Sequence, residues 1–441
     1  MPKIQKPPEW GVEPVPRNFR NLRALDLFVF WTSLGTGLLV YEAGGLIVPG
    51  LDFTSALLAI IAGTLVGTIP LALAGLIGSE HAIPTMVSLR PSFGLRGSYL
   101  PTGLNIIQLI GWGSLEIVVM AKAADLVFTS AIGFSNYPIW VLVFAALTIL
   151  MGIGGPLMVI KQWLEKFAFW ILYGSAIWIA FWALQDGGLD RVLNSKPGGG
   201  LPLLLAIDLV LAMPLSWMPL AADYNRFSRS AKSGFLGTFI GFAFGNIAGY
   251  TIGSILILST GSSNVIDAFK MLYLGIPALI LIVVYELDNG FADIYSAAVS
   301  IQNSVPRVRQ WKLILGVGVA CTFIALLISI ENYISFLLWI GATFTPIFGV
   351  VLSHYFIVAK RRIVVDEIYK AGGAYWYIGG FNLVAILAWA LGFTTYVLIA
   401  VYKPWLGATI PSLGVSFLAN TMLMKMIGAK ARMEVLKHEG V

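Results

Sequence analysis

Long apolar runs, separated by short polar stretches, cover almost the whole chain of 441 residues. A run of about 20 apolar residues predicts a helix that crosses a bilayer, because lipid offers no partners to backbone polar groups and a helix satisfies them internally. The pattern predicts twelve spans, which we number in chain order, at approximately 24–48, 54–78, 100–128, 137–156, 166–185, 202–222, 234–259, 276–299, 313–331, 334–358, 376–401 and 405–427.

Two of the predicted spans are interrupted by residues that weaken a helix. Span 1 contains TSLGTGLLVYEAGG, and span 6, five spans later, contains MPLSWMP. Proline removes a helix donor and glycine weakens a helix by about 1 kcal/mol, so both segments are candidates for unwinding inside the membrane. Proline and glycine are also common in membrane helices, but breaks at corresponding positions of two halves are typical of transporters built from inverted repeats.

The chain is therefore predicted to be an all-α polytopic membrane protein with a single transporter domain over residues 24–427. Residues 1–23 and 428–441 would form an N-terminal segment and a tail. We expect a five-plus-five inverted repeat with two further C-terminal helices, and place the first repeat, the second repeat and the extra helices at about 24–185, 202–358 and 376–427.

Composition agrees with this prediction, since 58% of the residues are hydrophobic and 11% are charged, against roughly 25% charged in soluble domains. A net charge of +6 could suggest a nucleic-acid partner, but its placement points to topology instead. Lysine and arginine are concentrated in the terminal segments and in every second loop, whereas the intervening loops hold only Arg191, Lys196, Lys270 and Lys403. By the positive-inside rule, this asymmetry predicts a plasma-membrane protein with both termini in the cytoplasm.

Several classes of site lack the residues that they need. Cys321 is the only cysteine, so neither an intramolecular disulfide nor a thiolate metal cluster can form. The three histidines are scattered over different segments, which disfavours a histidine metal site. The chain has no GxxxxGK[ST], HExxH or GxSxG motif. We therefore expect neither an ATP-driven mechanism nor an enzyme.

Span 3 carries three notable side chains on one face. Gln108, Trp112 and Glu116 are spaced by four residues, so a helix places them together. An indole plane flanked by an amide and a carboxylate suits a flat, heteroaromatic ligand with N–H groups, because the ring stacks on the indole and the polar groups bind its edge. The alternative is a packed tryptophan, with Glu116 paired to a basic group on another helix.

Span 8 holds three carboxylates within eight residues, namely Glu286, Asp288 and Asp293, and Asn289 lies among them. A charged residue at the centre of a membrane helix costs about 2.5–3.5 kcal/mol on insertion scales. Protonation, a bound cation or a water path could offset this cost. We expect one of the acids to lie near a helix end in water and the others to line a site.

In span 6, Ser216 and Trp217 lie between two prolines, where free backbone groups would face a ligand. Asp223 follows, and Arg226 and Arg229 come next in a predicted basic loop that fixes the topology. The favoured role for Asp223 is a structural ion pair or a helix-end contact. Ligand contact is the alternative.

Three ordered motifs resemble the nucleobase-cation symporter family, which includes the cytosine permeases and the hydantoin transporter. SLRPSFGLRGSYLP at 88–101 is similar to the family's RxSFGxxGSxLP segment, GW at 111–112 lies in span 3, and ADYNRFSRSAK at 222–232 is similar to ADFxRFxRxAK. The resemblance runs from about residue 11 to the tail. It implies a symporter of the five-plus-five fold with spans 1, 3, 6 and 8 around the substrate.

The resemblance also implies roles for individual residues. In the family, a span 3 tryptophan stacks on the nucleobase and a polar residue one turn later contacts it, which carries over to Trp112 and Glu116. A span 6 serine of the cytosine permeases aligns with Ser216. The family's sodium ion is held by backbone carbonyls of the broken span 1, which we place near Gly37 and Val40, and by two hydroxyl residues in span 8.

The chain departs from the family at two places. The hydroxyl pair of span 8 aligns with Asp288 and Asn289, so the coupling ion is either Na⁺ or a proton. An aromatic residue of the cytosine permeases aligns with Pro214, so a second stacking face, if there is one, would come from Trp217. The predicted substrate-binding residues are Gln108, Trp112, Glu116, Pro214, Ser216, Trp217 and Asp293. The predicted coupling-cation residues are Gly37, Val40, Tyr285, Asp288 and Asn289.

The sequence thus predicts a secondary active transporter that imports cytosine or hydroxymethylpyrimidine by symport with Na⁺ or H⁺ through alternating access. SWxPLxADY together with FxDIYSA at 291–297 resembles the branch proposed to carry hydroxymethylpyrimidine, a thiamine precursor. The alternatives are a symporter of the same fold for a purine, hydantoin, allantoin or another small nitrogenous substrate, and, more distantly, a passive channel. The only cofactor expected is a coupling Na⁺, and the partners are the substrate and the bilayer, without nucleic acid.

Overall fold

The computed structural model describes residues 11–328 and 333–438, apart from the side chains of 333–335 and 428–438. The start of the N-terminal segment, the last residues of predicted span 9 and the end of the tail lie outside the described residues. Within the described ranges nearly all regular structure is helical. The two exceptions there are the isolated β-bridges Leu22↔Ser228 and Ile378↔Phe381.

Each predicted span coincides with helical structure. In chain order, spans 1 to 12 contain the helices Ala24–Leu34 with Leu38–Gly45, Phe53–His81, Tyr99–Ile132, Tyr137–Gly154, Pro156–Ala183, Leu203–Ser216 with Met218–Leu220 and Ala221–Asn225, Ala231–Thr260, Gly275–Tyr285 with Leu287–Ser304, Gln310–Ala325, Tyr333–Ser353 with His354–Val358, Leu383–Tyr402, and Thr409–His438. Shorter helices in the connections are Arg17–Phe19, Thr85–Ser88, Arg90–Phe93, Gly188–Leu193, Val265–Lys270, Val365–Tyr369 and Pro404–Leu406.

Nine helices of the described chain are long and apolar enough to cross a membrane, and the two halves of span 1 taken together make a tenth. The other two predicted spans are Tyr99–Ile132, whose 34 residues include several polar and charged side chains, and Gln310–Ala325, which has 16 residues. Length and composition therefore support ten of the twelve predicted crossings.

Two predicted starts, those of spans 5 and 11, differ most from the structure. Span 5 begins at Pro156 and not at 166, because Val159–Ala168 is a π-helix whose polar side chains resemble a loop in the sequence. Lys161 in this helix pairs with Asp26 at the start of span 1, with 2.5 Å between Nζ and Oδ2. Span 11 begins at Leu383 and not at 376, where Asn382 caps the helix by accepting the Val384 amide.

Span 1 is broken at residues 35–37, and its two half-helices meet at an angle of 56°. Its backbone lies against a stripe of glycines on span 7, where an added Cβ would come within 1.9–2.9 Å of span 1 atoms: Gly237, Gly241, Gly245, Gly249 and Gly253. Small residues at such spacing let two membrane helices approach closely. The stripe holds both halves of span 1 in place around the break.

Span 6 is interrupted by a 3₁₀ turn, Met218–Leu220, between its first helix and the short helix Ala221–Asn225. Its whole length from Leu203 to Asn225 still counts as one continuous crossing. Both interruptions that the sequence predicted are therefore present. They differ in severity, because only the first produces a bend of more than 40° among the described helices.

Candidate functional site

The predicted ligand face of span 3 points into the protein, since Gln108, Trp112 and Glu116 are all buried. Gln108 Nε2 donates to the Ser216 carbonyl at 3.1 Å and to Asn105 Oδ1 at 3.3 Å. Gln108 Oε1 and Glu116 Oε2 are buried and have no hydrogen-bond partner among the described residues. Buried acceptors without partners are costly, so these two oxygens are positioned to receive donors from a ligand.

Trp112 has an aromatic partner that sequence reasoning missed, Phe336 of span 10. The two rings meet edge to face, with centroids 5.3 Å apart and planes at 69°. Phe336 also covers Gly111, where an added Cβ would lie 2.5 Å from the ring. Trp217, the candidate for a second stacking face, is tilted against Phe242 of span 7, with ring centroids 6.5 Å apart.

All the acids of span 8 are buried, so the expectation that one of them lies in water is wrong. Span 8 continues to Ser304, and the acidic stretch therefore lies in the middle of the crossing and not at its end. None of the ion pairs among the described residues involves these acids. The carboxyl groups of Glu116 and Glu286 lie close to each other, and two neighbouring buried carboxyl groups need a shared proton or a nearby cation.

Glu286 closes the amide end of the span 1 break. Its two carboxylate oxygens accept the Leu38 amide at 3.0 and 3.2 Å, at the first residue of the second half-helix. A carboxylate is stabilised there by the positive end of the helix dipole. Gly37 leaves the necessary room, since an added Cβ would lie 2.6 Å from Glu286 Oε1 and 2.9 Å from Asn289 Nδ2. The sequence singled out the acid but not this role.

Tyr285 closes the carbonyl end of the same break. Its hydroxyl donates to the Ser33 carbonyl and, at 2.7 Å, to the Thr36 carbonyl. The Ser33 hydroxyl in turn donates to Asp288 Oδ2. The predicted residues Tyr285 and Asp288 do therefore meet span 1, and they meet it at Ser33 and Thr36.

The predicted carbonyls near Gly37 and Val40 are placed differently. The Gly37 carbonyl accepts the Tyr41 amide at 2.9 Å, because the second half-helix begins immediately after Gly37. Val40 lies inside that helix, and its side chain packs towards Gly249 of span 7. The carbonyls that Tyr285 binds at the break are a different pair, those of Ser33 and Thr36 at the end of the first half-helix.

The remaining predicted ligand residues divide into two groups. Asp293 packs against span 3 at Gly113, where an added Cβ would be 3.6 Å from the Asp293 Cβ. Ser216 donates its hydroxyl to the Met213 carbonyl at 2.7 Å, and only its carbonyl meets Gln108. Pro214 packs on the opposite side, where Gly67 of span 2 leaves room for its ring. The structure does not bring Pro214 to span 3.

Asp223 has the helix-end role that was favoured for it. Its Oδ1 accepts the Thr85 amide at 2.8 Å, at the start of Thr85–Ser88. Arg226 is fully buried, which differs from the expected loop cation. Its guanidinium donates to the Tyr295 hydroxyl and to the Gly11 and Asp223 carbonyls, so its contact with Asp223 is through the backbone.

The site thus lies where spans 1, 3, 6, 8 and 10 meet. Besides Gln108 Oε1, three buried oxygens of these spans have no hydrogen-bond partner among the described residues: Glu116 Oε2, Asp288 Oδ1 and Asn289 Oδ1. The described chain contains no group of three or more His, Cys, Asp or Glu arranged to hold a metal ion. The arrangement can bind a small ligand that supplies donors, next to an edge-to-face aromatic pair.

Comparisons with known proteins agree with this architecture. Residues 14–422 match the family described as "Permease for cytosine/purines, uracil, thiamine, allantoin". The cytosine permease of Escherichia coli (strain K12) is 27% identical over 392 residues, which cover 86% of each chain. The hydantoin permease of Microbacterium maritypicum is 23% identical over 397 residues, which cover 84% of this chain and 80% of that permease.

A solved structure of Mhp1, a nucleobase-cation-symport-1 family transporter in a closed conformation with bromovinylhydantoin bound, superposes with a TM-score of 0.84. The match covers 96% of both chains at 20% identity. It confirms the inverted-repeat transporter fold that the two breaks predicted. The chain therefore belongs to the nucleobase-cation symporter family, whose members are membrane permeases and not enzymes.

Proposed function

We propose that this permease imports a small pyrimidine, cytosine or hydroxymethylpyrimidine, by symport with a cation. The observation that carries the proposal is the buried face of span 3, where Gln108 Oε1 and Glu116 Oε2 flank Trp112 without hydrogen-bond partners among the described residues. Two unpaired acceptors beside an indole favour a flat ring whose edge carries N–H groups. Such a ring would relieve the cost of both oxygens at once.

The choice of a pyrimidine is supported by the chemistry of the face and by the relatives. Gln108 and Glu116 each present an acceptor one turn of helix from Trp112, so a ring against the indole would have an acceptor on either side. The cytosine permease is among the relatives, and the family description includes thiamine. The motifs at 216–224 and 291–297 favour hydroxymethylpyrimidine within this class.

Coupling would follow from the position of the site between the two breaks. Substrate on span 3 and a cation at the acids of span 8 would each favour the closed arrangement of the same helices, so each would raise the affinity for the other. We place both termini in the cytoplasm of a plasma-membrane protein, because nearly all lysine and arginine outside the spans lies on the side of the termini.

The test is uptake of labelled cytosine and labelled hydroxymethylpyrimidine into proteoliposomes, with Na⁺ and H⁺ gradients imposed separately. We expect accumulation of one ligand, and we expect Trp112→Ala to weaken its binding by at least about tenfold, because the aromatic contact is lost. Trp170→Ala is the matched control, since Trp170 is 67% exposed on the outer surface of span 5. The pyrimidine proposal is wrong if neither ligand binds, or if Trp112→Ala behaves like Trp170→Ala.

A second candidate substrate class is a hydantoin or allantoin. It is favoured by the hydantoin permease relative and by the allantoin in the family description. These ligands also carry N–H groups, so thermal-shift measurements with a panel of pyrimidines, purines, hydantoin and allantoin separate the classes. Accumulation against a gradient would exclude a passive channel.

A further inference from the structure

We propose that the hydroxyl of Tyr285 occupies the place at the span 1 break where a coupling Na⁺ would bind, so that transport by this chain does not depend on Na⁺. The inference rests on the proposed function for the substrate, and it names the ion that does not drive the transport.

In transporters with broken helices, a cation is held by carbonyls that the unwound backbone frees. Here the first half of span 1 ends at Leu34, and the carbonyls of Ser33 and Thr36 face span 8. Both accept the single hydroxyl proton of Tyr285 in a three-centre bond. Tyr285 is fully buried, so its hydroxyl cannot exchange these carbonyls for water without leaving the core.

The side chains around the carbonyls are also in use. Ser33 Oγ donates to Asp288 Oδ2, and Asn289 Nδ2 donates to Glu286 Oε1 at 3.4 Å. Asp288 Oδ1 and Asn289 Oδ1 remain unpaired among the described residues. These two unpaired side-chain oxygens fall well short of the roughly six oxygens that hard cations take in proteins. The residues at the break therefore do not fit a Na⁺ site of the expected kind.

The two ends of the break are instead joined to span 8 by the chain itself. Tyr285 supplies a donor to the carbonyl end, and its neighbour Glu286 supplies an acceptor to the Leu38 amide at the other end. A Na⁺ ion would perform the first of these tasks by bridging span 1 and span 8. Because the Tyr285 hydroxyl already joins span 1 to span 8, this contact does not depend on the Na⁺ concentration.

The first measurement uses the wild-type protein without substrate, purified in detergent. Its melting midpoint is compared in sodium chloride and choline chloride at equal ionic strength. We expect no difference beyond about 1 °C, because an ion that binds the folded state raises the midpoint and one that does not bind leaves it unchanged. A rise of more than about 3 °C in sodium would overturn the proposal. This arm can be read even if no pyrimidine binds.

The second measurement follows binding of the labelled pyrimidine by equilibrium dialysis in the same two salts. We expect the wild-type dissociation constant to agree within about twofold between them, since uncoupled ions do not change affinity. A tenfold or greater tightening by sodium, about 1.4 kcal/mol, would contradict the proposal. Absence of any pyrimidine binding would remove the proposed substrate but leave the melting comparison as the test of Tyr285.

Tyr285→Phe separates this role from simple packing. It leaves both carbonyls without a donor, so we expect about tenfold weaker ligand binding in choline, recovered at least in part by sodium as the ion takes the vacated place. Tyr41→Phe is the matched control, since Tyr41 is fully buried in span 1 and its hydroxyl has no partner among the described residues. The proposal fails if the two variants behave alike. If Tyr285→Phe does not fold, the wild-type comparisons decide.

Discussion

Different kinds of side chain form hydrogen bonds with the backbone groups that are freed at the two breaks. At the span 1 break, Tyr285 and Glu286 of span 8 supply a hydroxyl and a carboxylate to the two ends. At the span 6 break, two neutral amides of span 3 donate to the carbonyls, Gln108 to Ser216 at 3.1 Å and Asn105 to Pro219 at 3.3 Å. The charged groups therefore gather at one break only.

Each broken span is hydrogen-bonded by a helix from the other half of the chain. In the predicted division of the chain, span 1 of the first repeat is bonded to span 8 of the second, whereas span 6 of the second repeat is bonded to span 3 of the first. Each break thus depends on the other half of the protein. Any movement of span 1 relative to span 8, or of span 6 relative to span 3, would change these hydrogen bonds, and this is how we expect the acids of span 8 and the ligand face of span 3 to be coupled.

The largest effect that sharpens this comparison is expected at Gly37. Gly37→Ala places a Cβ 2.6 Å from Glu286 Oε1 and drives the carboxylate from the Leu38 amide. We expect a loss of about 3 kcal/mol in the free energy of unfolding, because a buried charge loses its donor. Reversible unfolding in mixed micelles measures it. The matched control is Gly174→Ala in span 5, where an added Cβ meets nothing within 4 Å.

If Gly37→Ala is as stable as Gly174→Ala, then Glu286 does not hold the second half-helix and the two breaks do not differ as described. A large loss in both variants would instead indicate general sensitivity of the membrane helices to added volume.

A smaller effect is expected at the neutral break. Gln108→Leu removes the donor to the Ser216 carbonyl and should cost about 1–2 kcal/mol of unfolding free energy, since one buried acceptor loses its bond. Ligand affinity should fall as well, because Gln108 Oε1 is removed. Gln185→Leu is the control, since that amide is exposed and donates only within its own helix region, to the Phe181 carbonyl. Equal behaviour of the two variants would contradict the role of span 3 at span 6.

The smallest effect is expected at Ser216. Its hydroxyl bonds back to the Met213 carbonyl, and such bonds contribute little to a helix. Ser216→Ala should change unfolding by less than about 0.5 kcal/mol and leave ligand affinity within about threefold. Equilibrium binding checks it. A tenfold loss of affinity would mean that the hydroxyl turns to the ligand, as the resemblance to the cytosine permeases implied.

Much of the fold could be predicted from the sequence, because length and apolarity are local properties. The two breaks were also visible, since proline and glycine weaken a helix wherever it packs. The π-helix Val159–Ala168 was not, because its lysines and glutamate resemble a loop until Lys161 is seen to pair with Asp26. Burial of Arg226 was hidden for the same reason, as its partners come from distant segments.

For the site, the sequence predicted which residues share a face of one helix, but not which residues of different helices meet. Four-residue spacing placed Gln108, Trp112 and Glu116 on one face, and the density of acids marked span 8. Phe336 gave no signal, because a phenylalanine in an apolar run does not reveal its partner. The division of labour between Glu286 and Asp288 also depends on a contact with span 1, about 250 residues away in the chain. The pairing of helices decides such roles, and one sequence does not contain it.

The proposed function requires that the ligand face of span 3, between the two breaks, binds a planar pyrimidine. The most direct measurement is a structure of the permease determined with the bound pyrimidine. We expect the pyrimidine ring to lie against Trp112, with its N–H groups directed towards Gln108 Oε1 and Glu116 Oε2. A ring bound elsewhere, with both oxygens still unpaired and Trp112 still packed against Phe336, would contradict it.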